Sequence, residues 1–289
     1  MPSLATILFV ATAFSAAVMA AAPTYDATAA LSALYYAKAS YCPLADIQTW
    51  KCEACAFHST FVLQASIFNT AYDMQAYVGF DPTTSTAVVA FRGSHDIKNW
   101  IANLKFDHIP YPDATCPGGC EVHKGFLEAY RTIQSGIRNA TETVLLRHPG
   151  ASILVTGHSL GAALSTLATL DLLRTFPSQI TSLKNYNFGQ PRVGNAAFAA
   201  WAAGLVEAGG DFRVTHDQDP VPHLPPESFG FLHVPHEIYY TNDTEFKICN
   251  DGPTGEDGSC SDANVPDNIL DHGQYLGISV CCGTVVELC

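Results

Sequence analysis

Val155-Thr-Gly-His-Ser-Leu-Gly-Ala-Ala163 contains a Gly-x-Ser-x-Gly pentapeptide between two different kinds of sequence. Before it, Ser152-Ile-Leu-Val155 is a short apolar run with β-branched members, which reads as a strand. After it, Leu164, Leu167, Leu170 and Leu173 fall at helical spacing until Pro177 ends the run, which predicts a helix over 160–176. Strand, sharp turn and helix together hold a serine in a strained backbone, with its hydroxyl above the sheet edge. Glycines at 157 and 161 leave room where a Cβ would collide. Ser159 is therefore the candidate nucleophile, and the rest of the chain reads as its scaffold.

Working outward, helix and strand patterns alternate after Val122. The sequence predicts a helix over 127–147, the strand and helix around Ser159, a strand at 185–188, a helix at 195–206 and a strand at 212–214. Such alternation implies parallel βαβ units, whose functional groups collect at the carboxyl ends of the strands. Before this block, Asp26 can cap a helix over 27–40, and three β-rich runs at 61–68, 73–80 and 86–91 read as an antiparallel edge. Asp81-Pro-Thr-Thr84 is the expected turn between the last two. A single domain over 23–289 accounts for all of this, and 48% hydrophobic residues suffice for its core.

The first 22 residues carry no charged side chain, and the apolar run over 4–18 ends in small residues. This is the pattern of an export signal, with cleavage expected after Ala20 or Ala22. A soluble, secreted protein follows, because no stretch reaches the ~18 uninterrupted apolar residues of a spanning helix. Ten cysteines (42, 52, 55, 116, 120, 249, 260, 281, 282 and 289) then read as disulfide partners. Cys52 and Cys55 have zinc-ligand spacing, but no second such pair accompanies them. Two sequons, at Asn139 and Asn242, are candidate glycan acceptors. Asp and Glu number 27 against 14 Lys and Arg, giving a net charge of −13 that disfavours nucleic acid as a partner. No motif asks for a metal or an organic cofactor, and a monomer is the expectation.

Ser159 needs a base to take its proton, and the base needs an acid to fix its tautomer. Both are expected later in the chain, in the order Ser, Asp or Glu, His. Downstream histidines are His216, His223, His233, His236 and His272; acids include Asp211, Asp217, Asp219, Asp251 and Asp271. Spacing does not choose among them. Position favours His272, in a late loop beyond the core strands, and Asp219, just after a strand end.

Several segments, in order, resemble the fungal class 3 triacylglycerol lipases and cover nearly all of the chain beyond the signal. They are Tyr41-Cys42, Phe91-Arg-Gly-Ser94, Ile97-Lys-Asn-Trp-Ile101, Val122-His-Lys-Gly-Phe126, Thr156-Gly-His-Ser-Leu-Gly161, Gly189-Gln-Pro-Arg-Val-Gly194, Val221-Pro-His-Leu-Pro-Pro226 and Asp271-His272. The resemblance implies an α/β-hydrolase fold: a mostly parallel central sheet flanked by helices, with antiparallel strands at its amino-terminal edge. It implies Ser159, Asp219 and His272 as catalytic triad, and Ser94 and Leu160 as oxyanion hole. It also implies disulfides Cys52–Cys55, Cys116–Cys120 and Cys249–Cys260, with Cys42 bridging Cys281 or Cys282 and Cys289 taking the other. Gly273 stands where the family usually has a bulkier apolar residue, and the cysteine-bearing tail is longer than usual.

Ile97, Trp100, Ile101 and Leu104 recur at i, i+3, i+4 and i+7, which predicts a short amphipathic helix within 95–106. Because it follows the oxyanion residue it must lie over the site, and the resemblance makes it a lid that opens at lipid. The expected function is a secreted lipase acting on acylglycerols at a lipid–water interface through an acyl-enzyme. A carboxylesterase of the feruloyl type is the alternative, and a non-catalytic binding protein on the same fold would require a replaced triad member.

Overall fold

The computed structural model describes residues 24–206, 210–252 and 254–283; the expected export signal and Cys289 lie outside these. Asp26 starts α1 (Ala27–Ala39) by accepting N–H bonds from Thr28 and Ala29 at 2.9 and 3.2 Å. After the short α2 (Leu44–Thr49), the chain enters an antiparallel meander of β1 (Val62–Asn69), β2 (Met74–Asp81) and β3 (Thr86–Phe91). Next come α3 (Ile97–Asn103) and the short strands β4 (His108–Pro110) and β5 (Glu121–His123). The long amphipathic α4 (Lys124–Arg147) follows.

The central units are β6 (Ser152–His158), α5 (Leu160–Thr175), β7 (Leu183–Phe188), the two-residue β8 (Gly194–Asn195), α6 (Ala196–Val206) and β9 (Asp211–His216). Beyond them the chain adds β10 (Phe231–Leu232), β11 (Glu237–Tyr240), β12 (Phe246–Ile248), α7 (Ile269–His272) and a two-strand ribbon, β13 (Gln274–Tyr275) and β14 (Ile278–Ser279).

The main sheet runs β1-β2-β3-β6-β7-β9-β11-β12; from β3 to β11 it is parallel, and β12 returns antiparallel. A second, antiparallel sheet, β10-β8-β5-β4, sits beside it. Neither this sheet nor β11 and β12 carried a sequence signal, because strands of two to four residues are too short to show alternation.

Helix α5 is buried along almost its whole length, against β6 and under α4. Asp171 of α5 binds α4 through Tyr130 at 2.7 Å, Gln134 at 2.9 Å and Arg138 at 2.9 Å. A buried carboxylate with three donors is satisfied, so this polar contact costs the core little. Between described cysteines the disulfides are Cys42–Cys282, Cys52–Cys55, Cys116–Cys120 and Cys249–Cys260. The choice left open at Cys42 falls on Cys282; Cys281 is bridged as well. The Cys42–Cys282 bond spans 240 residues and removes the most freedom from the unfolded chain.

The helix expected within 95–106 is shorter than its apolar spacing suggested. Asp96 caps its start by accepting from Asn99 N–H at 3.0 Å, and Leu104 is already extended. The cause is the next segment: Lys124 N–H bonds the Asp107 carbonyl at 2.9 Å and draws the chain into the small sheet.

Candidate active site

At the carboxyl end of β6 the backbone of Ser159 turns to φ 60 and ψ −128, a conformation that a non-glycine residue adopts only when its surroundings impose it. The surroundings do so through close packing. A Cβ at residue 157 would lie 2.2 Å from the Gly161 carbonyl oxygen, and one at residue 161 would lie 2.4 Å from that of Phe91. Ser159 N–H also bonds the Phe188 carbonyl at 2.9 Å, fixing the turn to β7. Leu160 opens α5, so its N–H and the positive end of the helix point to the ground above Ser159.

The loop after β9 presents Asp219, and the turn of α7 presents His272. Their side chains meet, His272 Nδ1 lying 2.8 Å from Asp219 Oδ2. Tyr275 donates its hydroxyl to the same Oδ2, while Asp219 Oδ1 accepts Val221 N–H at 2.8 Å. Asp219 is thus buried and accepts at both oxygens, so the His272 nitrogen facing it donates and Nε2 is left as the acceptor. Nε2 and Ser159 Oγ are both buried with no hydrogen-bond partner among the described residues.

Both residues line a slot of about 10 Å³ walled by Ser94, Ile97, His158, Gly273 and Val280. That is at the lower limit for a single water. Beside it runs a mostly apolar groove of about 600 Å³, lined among others by Met74, Trp100, Leu104, His123, Phe126 and Leu160. Helix α3 serves both spaces: Ile97 is buried over the slot, while Trp100 and, just past the helix end, Leu104 wall the groove. Trp100 lies nearly parallel to Phe126, with ring centres 6.1 Å apart, and Ile101 is half-buried.

Other candidates have structural duties. Asp271 accepts Gln218 N–H at 3.1 Å and Asn268 Nδ2 at 2.8 Å, tying the two loops that carry Asp219 and His272. His233 faces the Pro222 carbonyl, His223 faces Asp262, and Asp251 pairs with Arg213. His216 and His236 face the carbonyls of Asp271 and Asp211. Asp211 opens β9 within the sheet, where burial pushes its carboxyl up to about 7; Asp217 N–H holds the Tyr240 carbonyl.

Sequence reading missed Tyr275 and Gly189. Gly189 has φ 59, and a Cβ there would sit 2.9 Å from His272 Nδ1 and 2.8 Å from the Tyr275 hydroxyl. Its signal was the Gly189-Gln-Pro-Arg192 segment at a strand end. The tyrosine, in a short late ribbon, had none.

The model of the class 3 lipases matches residues 88–229. The lipase of Rhizomucor miehei is 36% identical over 236 residues, 80% of this chain and 63% of that protein. The secreted mono- and diacylglycerol lipase 1 of Fusarium solani is 34% identical over 76% of this chain and 61% of that protein. The chain thus spans about three-fifths of the length of these curated relatives. Among solved structures, a triacylglycerol lipase with a serine protease triad at its catalytic centre superposes with a TM-score of 0.81 and 33% identity, covering 90% of this chain and 98% of that one. Lipase II from Rhizopus niveus gives 0.79 and 30%, covering 87% and 94%. With sequence and fold matched together over nearly the whole of a solved relative, the chain belongs to the fungal class 3 lipase family.

Proposed function

We propose that this protein is an exported lipase that hydrolyses the carboxylic esters of acylglycerols at a lipid surface. The observation that carries the reading is α3, one helix that caps the Ser159–His272 slot with Ile97 and walls an apolar groove with Trp100, continued by Leu104 just past its end. Displacing it joins slot to groove and turns its apolar face outward, a change that lipid favours and water opposes. An acyl chain then lies in the groove with its ester carbon beside Ser159.

Ser159 Oγ attacks that carbon as its proton passes to His272 Nε2, and Asp219 stabilises the imidazolium. The developing oxyanion takes hydrogen bonds from Leu160 N–H and from Ser94, through its N–H and hydroxyl. The alcohol leaves with the proton from His272, water repeats the sequence on the acyl-enzyme, and the fatty acid departs. Export is supported by the charge-free apolar run at the amino terminus and by relatives named as secreted. Among the described residues no helix is long and apolar enough to cross a membrane.

Of the two sequons, we assign Asn242 as the glycan acceptor. It and Thr244 are exposed in the turn between β11 and β12, with the Thr244 hydroxyl 3.2 Å from Asn242 Oδ1, whereas Thr141 of the Asn139 sequon is buried within α4. Glycopeptide mass spectrometry of protein from a fungal host should find a glycan at Asn242; one at Asn139 alone reverses the assignment.

The decisive experiment is the hydrolysis rate on one ester series, short to long acyl chain, below and above each ester's solubility limit. A jump when an interface forms, with long chains accepted, supports the proposal. Smooth saturation confined to short or aromatic esters moves the assignment to a carboxylesterase.

A further inference from the structure

His158 fills the variable position before the serine and is 3% exposed, yet both its ring nitrogens are engaged. Nε2 lies 2.8 Å from the main-chain carbonyl oxygen of His272, and Nδ1 lies 2.7 Å from the hydroxyl of Tyr41. A carbonyl oxygen only accepts, so Nε2 carries the proton. The neutral ring then offers Nδ1 as an acceptor, and Tyr41 donates to it. Burial, first, and the nearby His272, second, hold His158 well below the usual imidazole range, consistent with this tautomer.

Tyr41 continues the chain of contacts. Its hydroxyl packs against the backbone of Gly93, immediately before Ser94. A Cβ at residue 93 would lie 2.1 Å from that hydroxyl, 2.7 Å from the His158 carbonyl oxygen and 3.0 Å from Ser159 Cβ. Tyr41 is itself fixed by its neighbour Cys42, bridged to Cys282. Two side chains therefore connect the Ser159 turn, the Ser94 loop and the main chain of His272.

We propose that His158, pinned by Tyr41, is a positioning residue that sets the distance of the His272 ring from Ser159 during ester hydrolysis. The proposal rests on the serine-hydrolase reading above. Its physical need comes from α7, only four residues long, which gives His272 little helical support of its own. Asp219 fixes the rotation of the His272 ring through Nδ1, but the main chain fixes how near Nε2 comes to Ser159. Donation from His158 to the His272 carbonyl supplies that second constraint. The two rings are 4.3 Å apart and inclined by 37°, so a proton arriving on His272 sits beside His158. A neutral His158 adds no like charge there. The other titratable groups facing it are Tyr41 and Tyr275, with Asp219 beyond His272 and Arg92 beyond Tyr41.

The test compares kcat and KM of the full enzyme on a dissolved short-chain aryl ester, so that lid opening does not limit the rate. His158→Phe keeps a ring but no donor; it should lower kcat by about 100-fold with KM within about threefold, the scale expected from an ångström of misplacement. His158→Gln, which retains an N–H near the Nε2 position, should regain about tenfold of that loss, and Tyr41→Phe should lose about tenfold. A folded His158→Phe enzyme with parental kcat and only a lowered Tm overturns the proposal. Where His158→Phe does not fold, Tyr41→Phe decides, and its parental kcat overturns the proposal equally. Ser159→Ala serves as reference: if it still hydrolyses the ester, the serine-hydrolase reading itself fails, and the strut with it.

Discussion

The bed of the site and its cover are held by different forces. Beneath Ser159, the groups of Asp219, Tyr275, His158 and Tyr41 are buried and joined by directional hydrogen bonds. Above it, the polar bonds of α3 are local, Asp96 to Asn99 and Asn99 to Asn103, and its hold on the body is apolar, through Ile97 and the Trp100–Phe126 contact. Directional bonds buried in low dielectric are expensive to break, so the bed keeps one geometry. Apolar contacts are not directional, and on the proposed reading they are exchanged for contacts with lipid when the cover opens. On the proposed lipase reading, this division separates what stays preorganised from what moves at lipid.

The comparison can be broken at the bed first. Ser159→Ala should abolish ester hydrolysis, a loss of at least about 10⁴-fold, while leaving the circular dichroism and Tm near parental; unchanged hydrolysis would falsify the assignment of the nucleophile. Gly189→Ala should lower kcat by about 100-fold on soluble and emulsified esters alike, because its Cβ intrudes on His272. Losses confined to emulsions would show that the bed tolerates displacement.

The anchor of the cover supplies a pH test. His123 bonds the Lys105 carbonyl just beyond α3 and caps α4 at Phe126 N–H, and burial pushes its pKa down to about 4. Folding therefore keeps it neutral where an unfolded imidazole, near 6.5, would take a proton. Stability is unaffected above 6.5 and falls as pH drops from about 6.5 to 4, by on the order of 3 kcal/mol. Calorimetry on His123→Asn should show a shallower fall of Tm over that window; a parental slope would remove His123 as the cause. Smallest is Trp100→Ala, expected to cut the rate on emulsions about fivefold and on dissolved esters less than twofold. Equal losses would argue against a lipid-facing role for α3.

Legibility in the sequence follows the same division. Local rules located the Ser159 turn, α1, the meander β1 to β3 and α4 to within a few residues, because apolar periodicity and capping act within one element. Between His216 and His272, five histidines and several acids had equal claims by spacing, and only place in the chain favoured His272 and Asp219. The pairing of His272 with Asp219 crosses 53 residues of sequence, and no spacing rule reports such a contact. Resemblance to a family narrowed the choice; it gave no account of Tyr275 or of His158 as a support.

By itself, then, the sequence determined the strand–turn–helix at Ser159, the parallel units around it, the excess of negative charge and the apolar face of α3. Those properties depend on side-chain type and on neighbours a few residues away. The tertiary structure alone decided that Cys42 bridges Cys282, that Asp271 braces a loop while Asp219 faces the imidazole, that α3 stops at Asn103, and that His158 reaches the carbonyl of His272. Each of these is a contact between distant segments. It exists only once the sheet brings their ends together, where burial makes every unpartnered polar atom costly and so selects one arrangement.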